Sequence, residues 1–79
     1  MKTATKKMIL KALAPYIEFD GIFPYIKFMH IPAITAELLT NFSNVYCEVS
    51  GEDTECPVLI VKSTTKHAVF VKIIIERKF

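Results

Sequence analysis

The sequence CPVLIVKSTTKHAVFVKIIIERKF, residues 56–79, contains two apolar runs separated by a short polar segment. The runs, residues 58–61 and 69–75, are rich in the β-branched and aromatic side chains that favour strands. The polar residues 62–67 suffice for a turn but not for the crossover that joins parallel strands. The stretch therefore predicts an antiparallel hairpin that the upstream chain must cover.

A two-residue turn at Thr64 and Thr65 would set the pairing in this hairpin. The pairs that it predicts are Ile60 with Val69, Val58 with Val71 and Cys56 with Ile73. The turn contains neither the glycine nor the asparagine that usually fixes such a loop, so a shift of the register by one residue stays open.

The segment VYCEV, residues 45–49, alternates like a strand, and SGEDT, residues 50–54, is typical of a turn. With Gly51 at the tip, Cys47 lies opposite Cys56 in a pair whose Cβ atoms approach closely. This geometry permits a disulfide between the two cysteines. A cytosolic location favours two reduced, buried thiols instead, and both alternatives stay open.

Two amphipathic helices are predicted upstream of these strands. The first covers TATKKMILKALA, residues 3–14, with Thr3 or Thr5 as its N-cap and Pro15 at its end. The second covers residues 32–42 and has a proline in its first turn. Apolar residues recur at spacings of three and four in both segments, so each helix has one face for a core.

Residues 15–28 contain two related pentapeptides, PYIEF and PYIKF, on either side of the dipeptide Asp20-Gly21. Asp-Gly is a strong signal for a hairpin, in which residues 16–19 would pair with a strand near 23–28. The alternative is a connector that leads from the first helix into a single strand. We adopt the connector as the simpler interpretation.

Together these elements predict an α+β fold in a single domain, residues 1–79. Two helices pack on one face of a small antiparallel sheet, whose C-terminal three-stranded meander comprises residues 45–49, 57–63 and 68–76. A fourth strand near 23–28 is compatible with this arrangement. In such a meander the strand 68–76 lies at a sheet edge, where its unpaired backbone can recruit another strand.

The predicted register assigns each strand residue to one of two faces. The uncharged core face consists of Val45, Cys47, Val49, Cys56, Val58, Ile60, Val69, Val71, Ile73 and Ile75. The other face mixes apolar and charged side chains, a composition typical of an interface. We predict that a partner is bound on this face by Tyr46, Leu59, Val61, Phe70, Lys72 and Ile74.

The composition is unusually apolar for so short a chain. Hydrophobic residues make up 52% of the 79 residues and the mean hydropathy is +0.36. A domain of this size buries only about 60% of the surface that its unfolded chain exposes. Apolar surface is therefore expected to remain uncovered, which favours a homodimer or another protein partner.

Charge and hydropathy also bear on location. No apolar run approaches the roughly 20 residues of a membrane span, and Lys11 interrupts the apolar segment that would otherwise resemble a secretory signal. We therefore expect a cytoplasmic protein that does not enter a membrane.

A nucleic-acid binder is the alternative functional class, because two helices followed by a β-hairpin resemble a winged helix. The net charge is only +2, but four lysines near the N-terminus are candidate phosphate contacts: Lys2, Lys6, Lys7 and Lys11. The second helix, which would have to enter the groove, carries Glu37 and no basic residue. Nucleic-acid binding is therefore the weaker of the two hypotheses.

The sequence contains no motif that indicates an enzyme. His30, His67, Cys47 and Cys56 are the soft metal ligands available, and their spacing matches no metal site. With two glycines, the chain has no Gly-rich phosphate loop. We expect no catalytic residues, no cofactor and no metal.

These observations favour a non-enzymatic protein–protein interaction module that uses excess apolar sheet surface and an edge strand. A small inhibitor or adaptor is one form of such a module, since inhibitors from phages and other mobile elements share this size and lack of motifs. A self-associating subunit is the other form.

Overall fold

The computed structural model describes residues 2–76 and shows an α+β fold. The helices and strands, in chain order, are α1 (Lys6–Leu13), β1 (Glu18–Asp20), β2 (Phe23–Lys27), α2 (Ile31–Asn41), β3 (Val45–Ser50), β4 (Val58–Ser63) and β5 (Val69–Glu76). Short 3-10 turns follow α1 and β2. The two helices lie on one face of a mostly antiparallel sheet that includes the C-terminal meander, so the predicted fold class is confirmed. None of the helices within residues 2–76 has the length and apolar character to cross a membrane.

The sheet has five strands in the order β1-β2-β5-β4-β3. The pairing of β2 with β5 is parallel, and it aligns Ile26 with Ile75. Both side chains are buried under the helices, so this pairing extends the apolar face of the meander. The prediction that strand 68–76 forms an edge is wrong, because β5 lies between β2 and β4.

The predicted pairing between β4 and β5 is also wrong. The loop consists of residues 64–67 rather than two residues, and it is closed by a 2.8 Å hydrogen bond from the Ser63 amide to the Ala68 carbonyl. A bulge then shifts the register at Val61, so that Phe70 is the extra residue of β5. The observed pairs are Val58 with Ile74, Leu59 with Ile73, Ile60 with Lys72, Val61 with Val71 and Lys62 with Val69.

The bulge places the opposite side of β4 in the core from the one predicted. Leu59 and Val61 have no exposed surface, while Val58 and Ile60 point to the face away from the helices. A shift by one residue exchanges every side chain of a strand between the two faces. The core positions predicted for β3, and for β5 beyond Val69, are correct, because only β4 is shifted relative to them.

The core is a single cluster that both helices and four of the strands build. Its members are Ala4, Ile9, Leu13, Ile26, Ile34, Leu38, Phe42, Val45, Leu59, Val61, Ile73 and Ile75. At about 1.5–3 kcal/mol for each fully buried aliphatic or aromatic side chain, this cluster is the main stabilising feature of the fold.

The segment between the helices is a hairpin, so the connector interpretation is wrong. Asp20 pairs with Phe23, and the loop between them is Gly21 and Ile22. A positive φ of 70° at Gly21 but not at Ile22 is the pattern of a type II′ turn, which has glycine in its first loop position. An ion pair at 3.5 Å between Lys27 and Glu18 crosses the two strands, but both side chains are about 40% exposed to solvent, so the pair contributes little.

Helix α1 begins at a capping threonine whose contribution can be measured. The Thr5 hydroxyl accepts a hydrogen bond from the amide of Met8 at 3.3 Å. We expect Thr5→Ala to lower the free energy of unfolding by about 1 kcal/mol, because it leaves that amide without an intramolecular acceptor. Thr3→Ala is the control, since Thr3 is exposed and precedes the cap. Equal losses for both variants in urea titrations would contradict this assignment of the cap.

Candidate binding surface

A group of highly exposed apolar side chains lies at the tip of the β1–β2 hairpin. Phe19, Ile22 and Phe23 are 65%, 83% and 65% exposed, and we call these three residues the hairpin patch. Phe28 and Met29, which follow β2, are also exposed. Five of the nine large exposed hydrophobic residues in residues 2–76 therefore come from residues 19–29. Such a concentration is unusual for a small monomer and is typical of a contact surface.

A groove of about 400 Å³ connects the hairpin patch to the sheet. It is lined by Phe19, Asp20, Phe23, Pro24, Tyr25, Ile74 and Glu76. Tyr25 pairs with Ile74 across β2 and β5, so this groove opens on the sheet face that points away from the helices, which we call the open face. A partner that covers the hairpin patch would also reach the open face.

The open face carries three of the six residues predicted to bind a partner. Tyr46, Lys72 and Ile74 project from it, and Ile74 is 48% exposed. Leu59 and Val61 are fully buried under the helices, so their assignment to a surface is wrong. The bulge at Phe70 explains this error, and it also turns Phe70 itself toward the core, against which this side chain packs.

Polar side chains surround the apolar centre of the open face. Lys62 forms a hydrogen-bonded ion pair with Glu48 on the neighbouring strand. The hydrogen bond to Glu48 raises the pKa of the lysine. The hydroxyl of Tyr46 lies 3.5 Å from Nδ1 of His67, which adopts a positive φ of 54° in the β4–β5 loop. Val58, Ile60 and Ile74 lie between these polar groups, so the open face combines an apolar centre with a charged margin, as in many interfaces.

The two cysteines do not form the predicted pair. Cys47 lies opposite Val61, whereas Cys56 is exposed in the connection 51–57, and both thiols are free. The connection is longer than the tight turn that would have brought the cysteines together. Burial raises the pKa of the half-buried Cys47 thiol, and a hydrogen bond with Thr35 lowers it by less, so this thiol is a poor nucleophile.

Three polar side chains meet where α1 ends and α2 begins. The Tyr16 hydroxyl donates a 3.2 Å hydrogen bond to Glu37, and the Tyr16 ring lies 5.7 Å from the ring of His30. Burial raises the pKa of Tyr16, and so do the hydrogen bond to Glu37 and the negative charge of the Glu37 carboxylate. Nδ1 of His30 is buried and has no hydrogen-bond partner within the described chain. This cluster joins the two helices.

The four N-terminal lysines predicted to contact phosphate are all exposed: Lys2, Lys6, Lys7 and Lys11. Lys2 and Lys11 lie on either side of a groove between α1 and the end of α2. Lys6 and Lys7 belong to the first turn of α1 and do not line the groove. Their contact with phosphate stays a prediction.

Candidate ligands for a metal are dispersed. Among residues 2–76, no three histidine, cysteine, aspartate or glutamate side chains are grouped so that they could hold an ion. Glu52, Asp53 and Glu55 lie in the exposed connection 51–57 and remain in contact with solvent.

The hairpin patch was not among the residues predicted from the sequence to bind a partner. The dipeptide Asp20-Gly21 was the available signal, because a hairpin at this point leaves a first strand of only three residues, Glu18–Asp20. An edge strand of three residues is too short to bury the side chains of the hairpin patch. Their exposure therefore follows from the hairpin. The connector interpretation contained no edge strand here, so it could not predict that these side chains are exposed.

No protein-family model matches the chain, and neither the curated proteins nor the solved structures include a significant match to it.

Proposed function

We propose that this protein is a non-enzymatic protein–protein interaction module whose contact surface is the hairpin patch and the adjoining open face. The observation that carries the proposal is the high exposure of Phe19, Ile22 and Phe23 around one hairpin tip, where the register directs the two phenylalanine rings to opposite faces of the hairpin. Aromatic side chains are enriched in interfaces, and three large apolar residues around one hairpin tip can form the centre of a contact that encloses the tip.

The simplest occupant of this surface is a second copy of the chain. Two copies of a self-complementary patch form a closed, two-fold symmetric contact. Direct pairing of two β1 edges is disfavoured, since an antiparallel pair centred on Phe19 would place Glu18 of one copy opposite Asp20 of the other. The contact would therefore be made by side chains. An inhibitor or adaptor would present the same surface to a different protein.

A cytoplasmic location belongs to the same proposal. Both cysteines are free in this structure, as is usual where the cell keeps thiols reduced. We likewise propose that the protein is not an enzyme.

The proposal is tested by removing two residues of the hairpin patch and measuring self-association. We expect the wild-type protein to sediment as a dimer or larger species at micromolar concentration, and Phe19→Ser/Ile22→Ser to sediment as a monomer. Both side chains are exposed, so the double variant should retain its fold. The matched control is Leu10→Ser/Leu39→Ser, which removes two exposed leucines from the helices and should leave association unchanged.

Two results would count against this function. A wild-type protein that stays monomeric at high concentration would remove the second copy as the occupant. Retardation of duplex DNA at low salt, abolished by substitution of Lys6 and Lys7, would favour the nucleic-acid alternative instead.

A further inference from the structure

A second surface, independent of the hairpin patch, lies between the two helices. The groove has a volume of about 550 Å³, which is within the range of ligand-binding clefts. Its lining residues are Lys2, Met8, Lys11, Ala12, Thr40, Asn41 and Phe42. It lies on the helical side of the sheet, so it shares no residue with the hairpin patch or the open face.

One wall of this groove is held in place by the segment that precedes α1. The Lys2 amide donates to the Asn41 carbonyl, and the Ser43 amide donates to the Lys2 carbonyl, both at 3.1 Å. The side chain of Asn44 accepts a 2.7 Å hydrogen bond from the amide of Ala4. The wall is therefore ordered before any ligand arrives, which lowers the entropic cost of binding.

The groove has a positive margin and an apolar floor. Lys2 and Lys11 are exposed, and no acidic residue is among the described residues that line it. Met8 and Ala12 are half-buried and Phe42 is almost fully buried, so the floor is largely hydrocarbon. An occupant that satisfies both features carries negative charge beside a large apolar group.

We propose that this groove binds an acidic peptide segment that inserts one large apolar side chain between α1 and α2. The apolar side chain would contact Met8 and Ala12, while flanking carboxylates would face Lys2 and Lys11. The lysine ammonium is a point charge and can donate hydrogen bonds to a carboxylate from several directions.

A nucleic acid fits the groove less well than such a peptide. Single strands are usually held by exposed aromatic rings that stack on bases, and the ring in this groove, Phe42, is only 7% exposed. Phosphates would also leave the apolar floor uncovered.

The test uses a synthetic peptide with one phenylalanine flanked on each side by two glutamates, and maps its binding by NMR on the full chain. We expect amide shifts at Met8, Ala12 and Phe42, and loss of binding when the phenylalanine of the peptide is replaced by serine. Lys11→Glu should weaken binding by about tenfold, as expected for reversing a charge at a partly exposed ion pair.

Two further variants separate charge from shape. Lys6→Glu changes the net charge by the same amount, but at about 100° per residue Lys6 lies about 140° around α1 from Lys11, so its effect should be small. Thr40→Tyr places a ring in the groove without changing any charge and should abolish binding. Thr40 is exposed, so this variant should keep the fold.

Three results would overturn the proposal. The first is the absence of shifts with the peptide, and the second is equal weakening by Lys6→Glu and Lys11→Glu. The third is stronger binding of a single-stranded oligonucleotide or of vesicles containing phosphatidylserine than of the peptide. The Phe19→Ser/Ile22→Ser variant should bind the peptide normally, which separates a failure here from a failure of the proposed function.

Discussion

Replacing Leu59 by alanine is expected to lower the free energy of unfolding by about 3 kcal/mol. Leu59 has no exposed surface and lies between Val49 and Ile73 on the neighbouring strands, so truncating it leaves a cavity that the sheet cannot close. Urea denaturation of the purified variant measures the loss.

The adjacent residue supplies the control for this experiment. Ile60 points to the open face and is only half-buried, so Ile60→Ala should cost about 1 kcal/mol. The register predicted from the sequence would reverse the two values, because it places Ile60 in the core. A larger loss for Ile60→Ala than for Leu59→Ala would therefore show that the bulge in β5 is misplaced.

The second large effect is expected at Gly51, in the connection between β3 and β4. Its φ is +69°, and a Cβ atom there would lie 2.8 Å from Oγ1 of Thr54. That hydroxyl cannot move freely, because it donates to the Gly51 carbonyl and accepts from the Cys56 amide. We expect Gly51→Ala to cost about 3 kcal/mol, from backbone strain and the loss of these hydrogen bonds.

Gly21 is the matched control for Gly51, because it has nearly the same φ of +70° and has no atom near the position of an added Cβ. Gly21→Ala should show the backbone term alone, about 1 kcal/mol. The difference between the two glycines, measured by thermal or urea unfolding, gives the cost of the contacts that the added Cβ makes with the Thr54 hydroxyl and, at 3.3 Å, with the Cys56 carbonyl oxygen. Equal losses would mean that the hydroxyl moves aside at little cost.

The two helices could be predicted from local patterns because each has a local cause. Thr5 accepts a hydrogen bond at the start of α1, and a proline stands in the first turn of α2. The apolar spacing then identifies the buried residues Ile34 and Leu38. These signals require no knowledge of distant parts of the chain.

The orientation of β4 could not be predicted in the same way. Residues 58–61 are all apolar, so no alternation indicates which side faces the core. The side depends on the connection 51–57, which places Val61 instead of Cys56 opposite Cys47, and on the bulge at Phe70. Neither feature has a sequence signal as strong as Asn-Gly.

The error in the orientation of β4 also affected the predicted binding surface. Leu59 and Val61 were assigned to it because the register of β4 was shifted, while Tyr46, Lys72 and Ile74 keep their place on the open face. The parallel pairing of β2 with β5 was a second unpredictable feature, since it joins segments with no local relation. Without knowledge of that pairing, the position of the hairpin patch relative to the sheet could not be predicted.

That parallel pairing has a consequence for how the chain folds. Tyr25 and Ile74 meet although they are roughly 50 residues apart, and pairings at such separations are slow to form because a long loop must close first. During synthesis, the β1–β2 hairpin leaves the ribosome long before β5 exists. Its apolar side chains are therefore accessible to chaperones on the nascent chain. Because β5 lies between β2 and β4, we expect the five-stranded sheet to close only after β5 has been synthesised.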